Sequence, residues 1–548
     1  LSAKDPRLDS VAGAAERLVA RGYSLKVESG RLVFNPGEME RLSKELEHAI
    51  ISLGGLEVIG QTLAYLKAVE PLHFGRYAPG RTFGNDRNQP SLPIGYLLQL
   101  GVKHLDAKPA DVERRPPLWS DVAMLSRDLC AVVDVEPYHN FESILLSAQD
   151  LPENLASVAL FDHLFTLKQW PPSRSLELLD GVTSRLDQAE IRSRLGWEIS
   201  DVLALMKAVL TVASEPFAII TPQQFEAHGV SKAIWLKLRS VFAHPLSTIN
   251  RGYATPLDAD KAEFDFKPLF DLPRDHLLVV TPALAALGFF EATTRAIRQS
   301  GYPDFDNRLG EAVEDVVADA LRKAGVNVTV EGVEYTTADS TQGTVAGECD
   351  IVVETDTNIV FIELKKKPLR RVSGTGDAAP ALVDLTTSLF AAQAQLSRHE
   401  QTLLRDGKID FVDDYTLEHQ GRRIERIAMT WLDYGGLQDK YLLSQIFTAL
   451  AGHRLSTDHR REGKKLGALN SAIDALEQEM AALQQLGKDE RALFMNCWFL
   501  SVPQLLMLLD GAQAPTDFTD RIGKLRHLTY RTLDFYRDFG FAKQAGLL

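Results

Sequence analysis

Between Gly347 and Lys365 two acids and a lysine stand at positions where they can act together. Asp350 opens one short apolar run, Glu363 closes the next, and Lys365 follows Glu363 by two positions. Side chains alternate along a strand, so Glu363 and Lys365 share a face while Leu364 turns away. A hairpin between the two runs would bring Asp350 close to Glu363. Two carboxylates converging at the end of a buried sheet repel each other unless something positive lies between them. A hard divalent cation held through oxygens meets that need, with Mg²⁺ the default. The Lys365 ammonium can then orient a water and offset charge growing on a phosphate.

Holding these residues requires a particular run of elements. A helix is predicted over Leu309–Ala324, stopped by Gly325, with Val313, Val316, Val317, Ala320, Leu321 and Ala324 as its buried stripe. A 100° step puts Glu314 at the edge of that stripe and Glu311 on the solvent side. Strands are predicted at Val326–Tyr335, Asp350–Glu354 and Ile359–Leu364, then a helix over Leu382–Leu404 and a strand over Ile424–Leu432.

In this order the motifs resemble the PD-(D/E)xK phosphodiesterase superfamily. Gly310, Val313, Glu314, Val317, Leu321 and Gly325 match its helix pattern. Gly347, Glu348 and Asp350 match its second strand, and Glu363 with Lys365 its Glu-x-Lys signature. The resemblance covers residues 301–440 and implies an α/β restriction-endonuclease-like core flanked by mainly α-helical regions at 1–300 and 441–548. It further implies metal-dependent phosphodiester hydrolysis, with Mg²⁺, or Mn²⁺ in its place, held by Asp350, Glu363 and the Leu364 carbonyl. Glu314 would bind the metal or a water beside it, and Lys365 would assist the attacking water. Many relatives keep a Gln and a Tyr on the following helix; Gln393 and Gln395 lie there, but no Tyr follows at that spacing.

The net charge of −14 demands a local basic patch for any polyanion. Lys365, Lys366, Lys367, Arg370 and Arg371 supply one, and we expect Lys366, Lys367, Arg370, Arg371 and Gln393 to contact nucleic acid. Ser373–Asp377 reads as a mobile loop, and His453, Arg454, His459, Arg460, Arg461, Lys464 and Lys465 as a linker or an extension of the track. Residues 1–300 read as helices, interrupted by a hairpin at Tyr23–Val27 and Arg31–Phe34 around Ser29-Gly30 and by a connecting loop at Tyr77–Pro93. The pair of helices after Thr221 reads as plain helix-loop-helix packing rather than a DNA reader.

Cys130, Cys349 and Cys497 have no metal or disulfide spacing. No export signal or membrane span is expected, and a cytoplasmic setting follows. The expectation is a Mg²⁺-dependent endonuclease, DNA favoured over RNA, in bacterial defence or repair, with a homo-oligomer and an activating or restraining partner left open. The rivals are an RNA nuclease using the same residues and a non-catalytic nucleic-acid-binding scaffold.

Overall fold

The computed structural model describes residues 6–28, 30–81, 89–138, 142, 146–213, 217–339, 343–456, 460–489 and 492–548, and excludes the side chains of 6, 338–339, 343–346 and 460–463. Ser29, the middle of the Tyr77–Pro93 loop, His459 and the side chains of Arg460 and Arg461 lie outside the described residues. The chain divides into two compact units. One comprises Leu1–Glu142, Ala156–Phe305 and Arg371–Gly376; the other comprises Ser143–Leu155, Asp306–Arg370 and Asp377–Leu548.

The N-terminal unit is mainly helical, with a four-stranded sheet ordered Ala218–Ile220, Leu277–Val279, Leu269–Asp271, Ala243–His244. Its helices bury one stripe each: Leu42, Leu46, Ile50 and Leu53 recur on the inward side of Glu38–Leu53. Gly54, at φ +99, ends that helix and lets Gly55–Val69 set off at 97°. This bent pair meets a membrane span's length and composition, but among the described residues no single helix is long and apolar enough to cross one. Leu46, Ile50 and Val58 of the pair pack into the unit's core. The helices Pro222–Glu226 and Lys232–Phe242 turn Phe225, Trp235, Leu238 and Phe242 inward.

Arg371–Gly376 also belongs to this unit, although it interrupts the other in sequence. Ser373 is buried and a Cβ on Gly374 would meet Ala259 and His163, so the stretch read as a mobile loop is packed.

The second unit is built on one mixed sheet. It opens with α1, Phe305–Lys323, then β1, Val328–Asp339, β2, Gly343–Glu354, and β3, Asn358–Lys365. Helix α2, Ala378–Leu385, runs through a π turn at Thr386–Ala391 into α3, Ala392–Asp406. After the short strands Lys408–Asp410 and Thr416–Glu418 come β4, Arg423–Thr430, helices α4, Lys440–Leu450, and α5, Arg460–Gln485, and then β5, Cys497–Ser501. Three helices close the chain: α6, Val502–Leu509, α7, Asp517–Leu525, and α8, Phe535–Gln544. The sheet order is β5-β4-β3-β2-β1, antiparallel from β1 to β3 and parallel from β3 to β5.

β5 corrects the expected boundary near 440. The region 441–548 is neither wholly helical nor separate, because Cys497–Ser501 pairs with Arg426–Thr430 and completes the sheet. All five residues of β5 are buried, so leaving them out would strip one side of β4.

Candidate active site at the end of the mixed sheet

Each predicted site residue is positioned by a regular element. In the β2–β3 pairing Ile351 faces Ile362, so one further step sets Asp350 across from Glu363. The Leu364 N–H donates to Asp350 Oδ2 at 2.7 Å, which fixes that carboxylate at the strand end. Lys365, two residues beyond Glu363, places Nζ 2.5 Å from Glu363 Oε1. On α1 the apolar stripe Val313, Val316, Val317 and Leu321 is buried, Glu311 is exposed, and Glu314 is half-buried at the edge.

Two glycines make room for this arrangement. A Cβ on Gly310 would stand 1.7 Å from Lys366 Cε, so only glycine lets Lys366 cross the start of α1 and bring Nζ to 3.4 Å from the Asn307 carbonyl. A Cβ on Gly347 would stand 2.5 Å from the ring of Tyr335, whose hydroxyl is 2.6 Å from His399 Nδ1 in the core.

The acids are held under electrostatic pressure. Burial, and next the charge of Asp350, pushes the Glu363 carboxyl up to about 8 against the pull of Lys365. Burial and then Asp350 likewise raise Glu314 to about 7. Burial is also the main cause that raises Asp350, opposed by the Leu364 N–H and Lys365. Glu348 adds a fourth negative charge that bears on all three. It was named in the sequence only as part of a motif, yet alternation two residues before Asp350 put it on the same face. Glu363 Oε2 is buried and has no hydrogen-bond partner.

The predicted metal ligands are not preassembled as a cage. Among the described residues no three of His, Cys, Asp and Glu form a ready metal-binding group. Glu363 is instead engaged by Lys365, and Asp350 by the Leu364 N–H.

The predicted nucleic-acid contacts divide. Gln393 is corrected: it is fully buried, and its Nε2 donates to the carbonyls of Trp498, at 3.0 Å, and Arg426, at 3.4 Å, bracing β5 and β4 from beneath. Gln395, two residues on, donates instead to the Glu348 carbonyl at 3.3 Å. Arg370 Nε and Lys367 Nζ lie 2.6 and 3.2 Å from the buried Asp384, so much of their charge is matched internally. Arg371 belongs to the N-terminal unit, with its guanidinium 4.2 Å from the ring centroid of Phe266. Lys366 stays exposed beside the acids. Farther along, Arg454 is paired with Asp474 and Glu477 on α5, which makes that stretch a tied linker.

No family model, curated protein or solved structure matches the chain.

Proposed function

We propose that the second unit is a metal-dependent phosphodiesterase domain of the PD-(D/E)xK kind, and that the chain is a Mg²⁺-dependent endonuclease acting on DNA in preference to RNA. The order helix, three antiparallel strands, helix, parallel strand supports the fold reading. One observation carries the chemistry: Asp350 bears on both Glu314 and Glu363, and the inner oxygen of Glu363 is buried without a partner. Isolated buried carboxylates are costly unless protonated or neutralised.

The donor set fits a hard divalent cation, since every available atom is an oxygen. Asp350, Glu363 and the Leu364 carbonyl would hold it, with Glu314 alongside. When bound, Mg²⁺ supplies polarisation of the phosphate and a more acidic water. Lys365 holds that water by its ammonium and meets the charge that develops on the phosphate. Lys366 grips a neighbouring phosphate. A setting in defence or repair, with cleavage restrained by a partner, rests on architectural analogy.

The test is incubation of the purified chain with plasmid, linear duplex, single-stranded DNA and RNA, in Mg²⁺, Mn²⁺ or EDTA. At least one substrate should be cut with the metal and none in EDTA. The rate should fall at least roughly 100-fold in Asp350→Ala and in Lys365→Ala. Equal cutting by wild type and both variants would refute the assignment.

A further inference from the structure

At the other end of the same sheet lies a cavity of about 720 Å³. β3 and β4 pair from Asn358 with Arg423 to Lys365 with Thr430, and seven steps of about 3.3 Å separate the ends by roughly 23 Å. The cavity is therefore distinct from the acidic centre. Its walls are the β2–β3 turn at 356–358, the turn at 420–423 that leads into β4, and the end of α7 with the residues through His527.

The turn into β4 is tight: Gln420 and Gly421 both take positive φ, +49 and +75. Gly421 and Gly523 have open space where a Cβ would stand, so bare backbone faces the cavity. Four strong cations line it, and two are matched from below. Arg422 pairs with Glu354 at 2.6 Å, and Arg526 is salt-bridged to Glu425. Arg423 and Lys524 are exposed and have no ion-pair partner among the described residues. Arg526 Nε is buried without a hydrogen-bond partner, and Arg423 adds to the burial that lowers the Arg526 guanidinium from its usual range. Exposed Arg423 and Lys524 are the cations on this wall that a phosphate oxygen can reach, and the Arg423 guanidinium presents a planar fork to it. Asp356 and Asp520 also line the cavity and oppose an anion, which limits its affinity.

We infer that this cavity is a second ligand site, for a phosphoanion of nucleotide size that carries two or three phosphates. The volume falls within the roughly 300–1,000 Å³ of small-molecule sites. Arg423 and Lys524 supply the free charge, and His527 a further donor at the rim. The inference stands apart from the phosphodiesterase reading, because none of these residues belongs to the acidic centre.

Calorimetric titration of the full chain in EDTA, with inorganic triphosphate, ATP and adenosine as separate probes, tests it. Triphosphate and ATP should each bind once per chain. The double variant Arg423→Gln, Lys524→Gln should weaken both at least tenfold, Asp520→Asn should strengthen them, and Asp350→Asn should leave them unchanged. ATP binding at least tenfold tighter than triphosphate would make the ligand a nucleotide, whereas equal affinities would make it a phosphate chain; either supports the site. Failure of both to bind, undiminished affinity in the double variant, or adenosine binding as tightly as ATP would overturn it.

Discussion

Two groups of charges are buried against the same sheet, and they are balanced in opposite ways. Beneath β4, Arg426 and Glu400 are both fully buried, with Arg426 Nε 3.2 Å from Glu400 Oε2. Arg426 also donates to Ser397, the Leu493 carbonyl, Asn496 and Cys497, while Glu400 is met by Lys488 and by Asn496 Nδ2 at 3.2 Å. At the end of β3 the charge of Asp350 raises the proton affinity of both Glu314 and Glu363, and Lys365 is the cation that pairs with Glu363 among the described residues. The first group is matched in charge by partners within the chain, although Arg426 Nε makes no hydrogen bond. The second leaves an excess of negative charge and a buried acidic oxygen without a partner, which a bound cation would offset.

The largest effect that can break this contrast is on folding. Arg426→Met leaves Glu400 buried and poorly compensated, and should cost about 3–5 kcal/mol in urea unfolding of the second unit. Asp350→Asn should leave metal-free stability unchanged or raise it, because it removes one of the repelling charges yet keeps an acceptor for the Leu364 N–H. If both variants were equally destabilised, the acids would be structural like Arg426.

A smaller effect sharpens the site's edge. Gly310→Ala should keep stability within about 1 kcal/mol of wild type, since alanine favours the helix and Lys366 is a flexible side chain that can move aside. Displacing Lys366 should still weaken nucleic-acid affinity severalfold, measured by fluorescence anisotropy with a labelled duplex. Unchanged affinity would take Lys366 out of the binding surface.

Much of the acidic centre was legible because each member sits on an element with a strict period. Alternation put Glu363 and Lys365 on one face, and the helical stripe separated Glu314 from Glu311. Legibility failed where tertiary context decides. Cys497–Ser501 is buried on both faces and shows no alternation, so it merged with Val502–Leu509 into one apolar run. The boundary signal was Ser501 with Gln504, a capping box. Gln393 was expected at the site from the resemblance, which keeps a Gln on this helix, but it follows the π turn at Thr386–Ala391, which adds a residue and shifts the helical phase after it. The pairing of Lys367 and Arg370 with Asp384 spans more than a dozen residues, beyond any local pattern.

The most direct measurement is calorimetric titration of Mn²⁺ into the metal-free chain at pH 7, in two buffers of different ionisation enthalpy. Glu314, raised to about 7, and Glu363, raised to about 8, carry protons there that a cation must displace. Binding should release roughly one proton per site at pH 7. Above pH 8 both carboxyls ionise, so release should fall toward zero while affinity rises, and Asp350→Asn should abolish binding at either pH. Absence of binding by the wild type, or binding that Asp350→Asn leaves intact, would contradict the reading of these acids as a cation site.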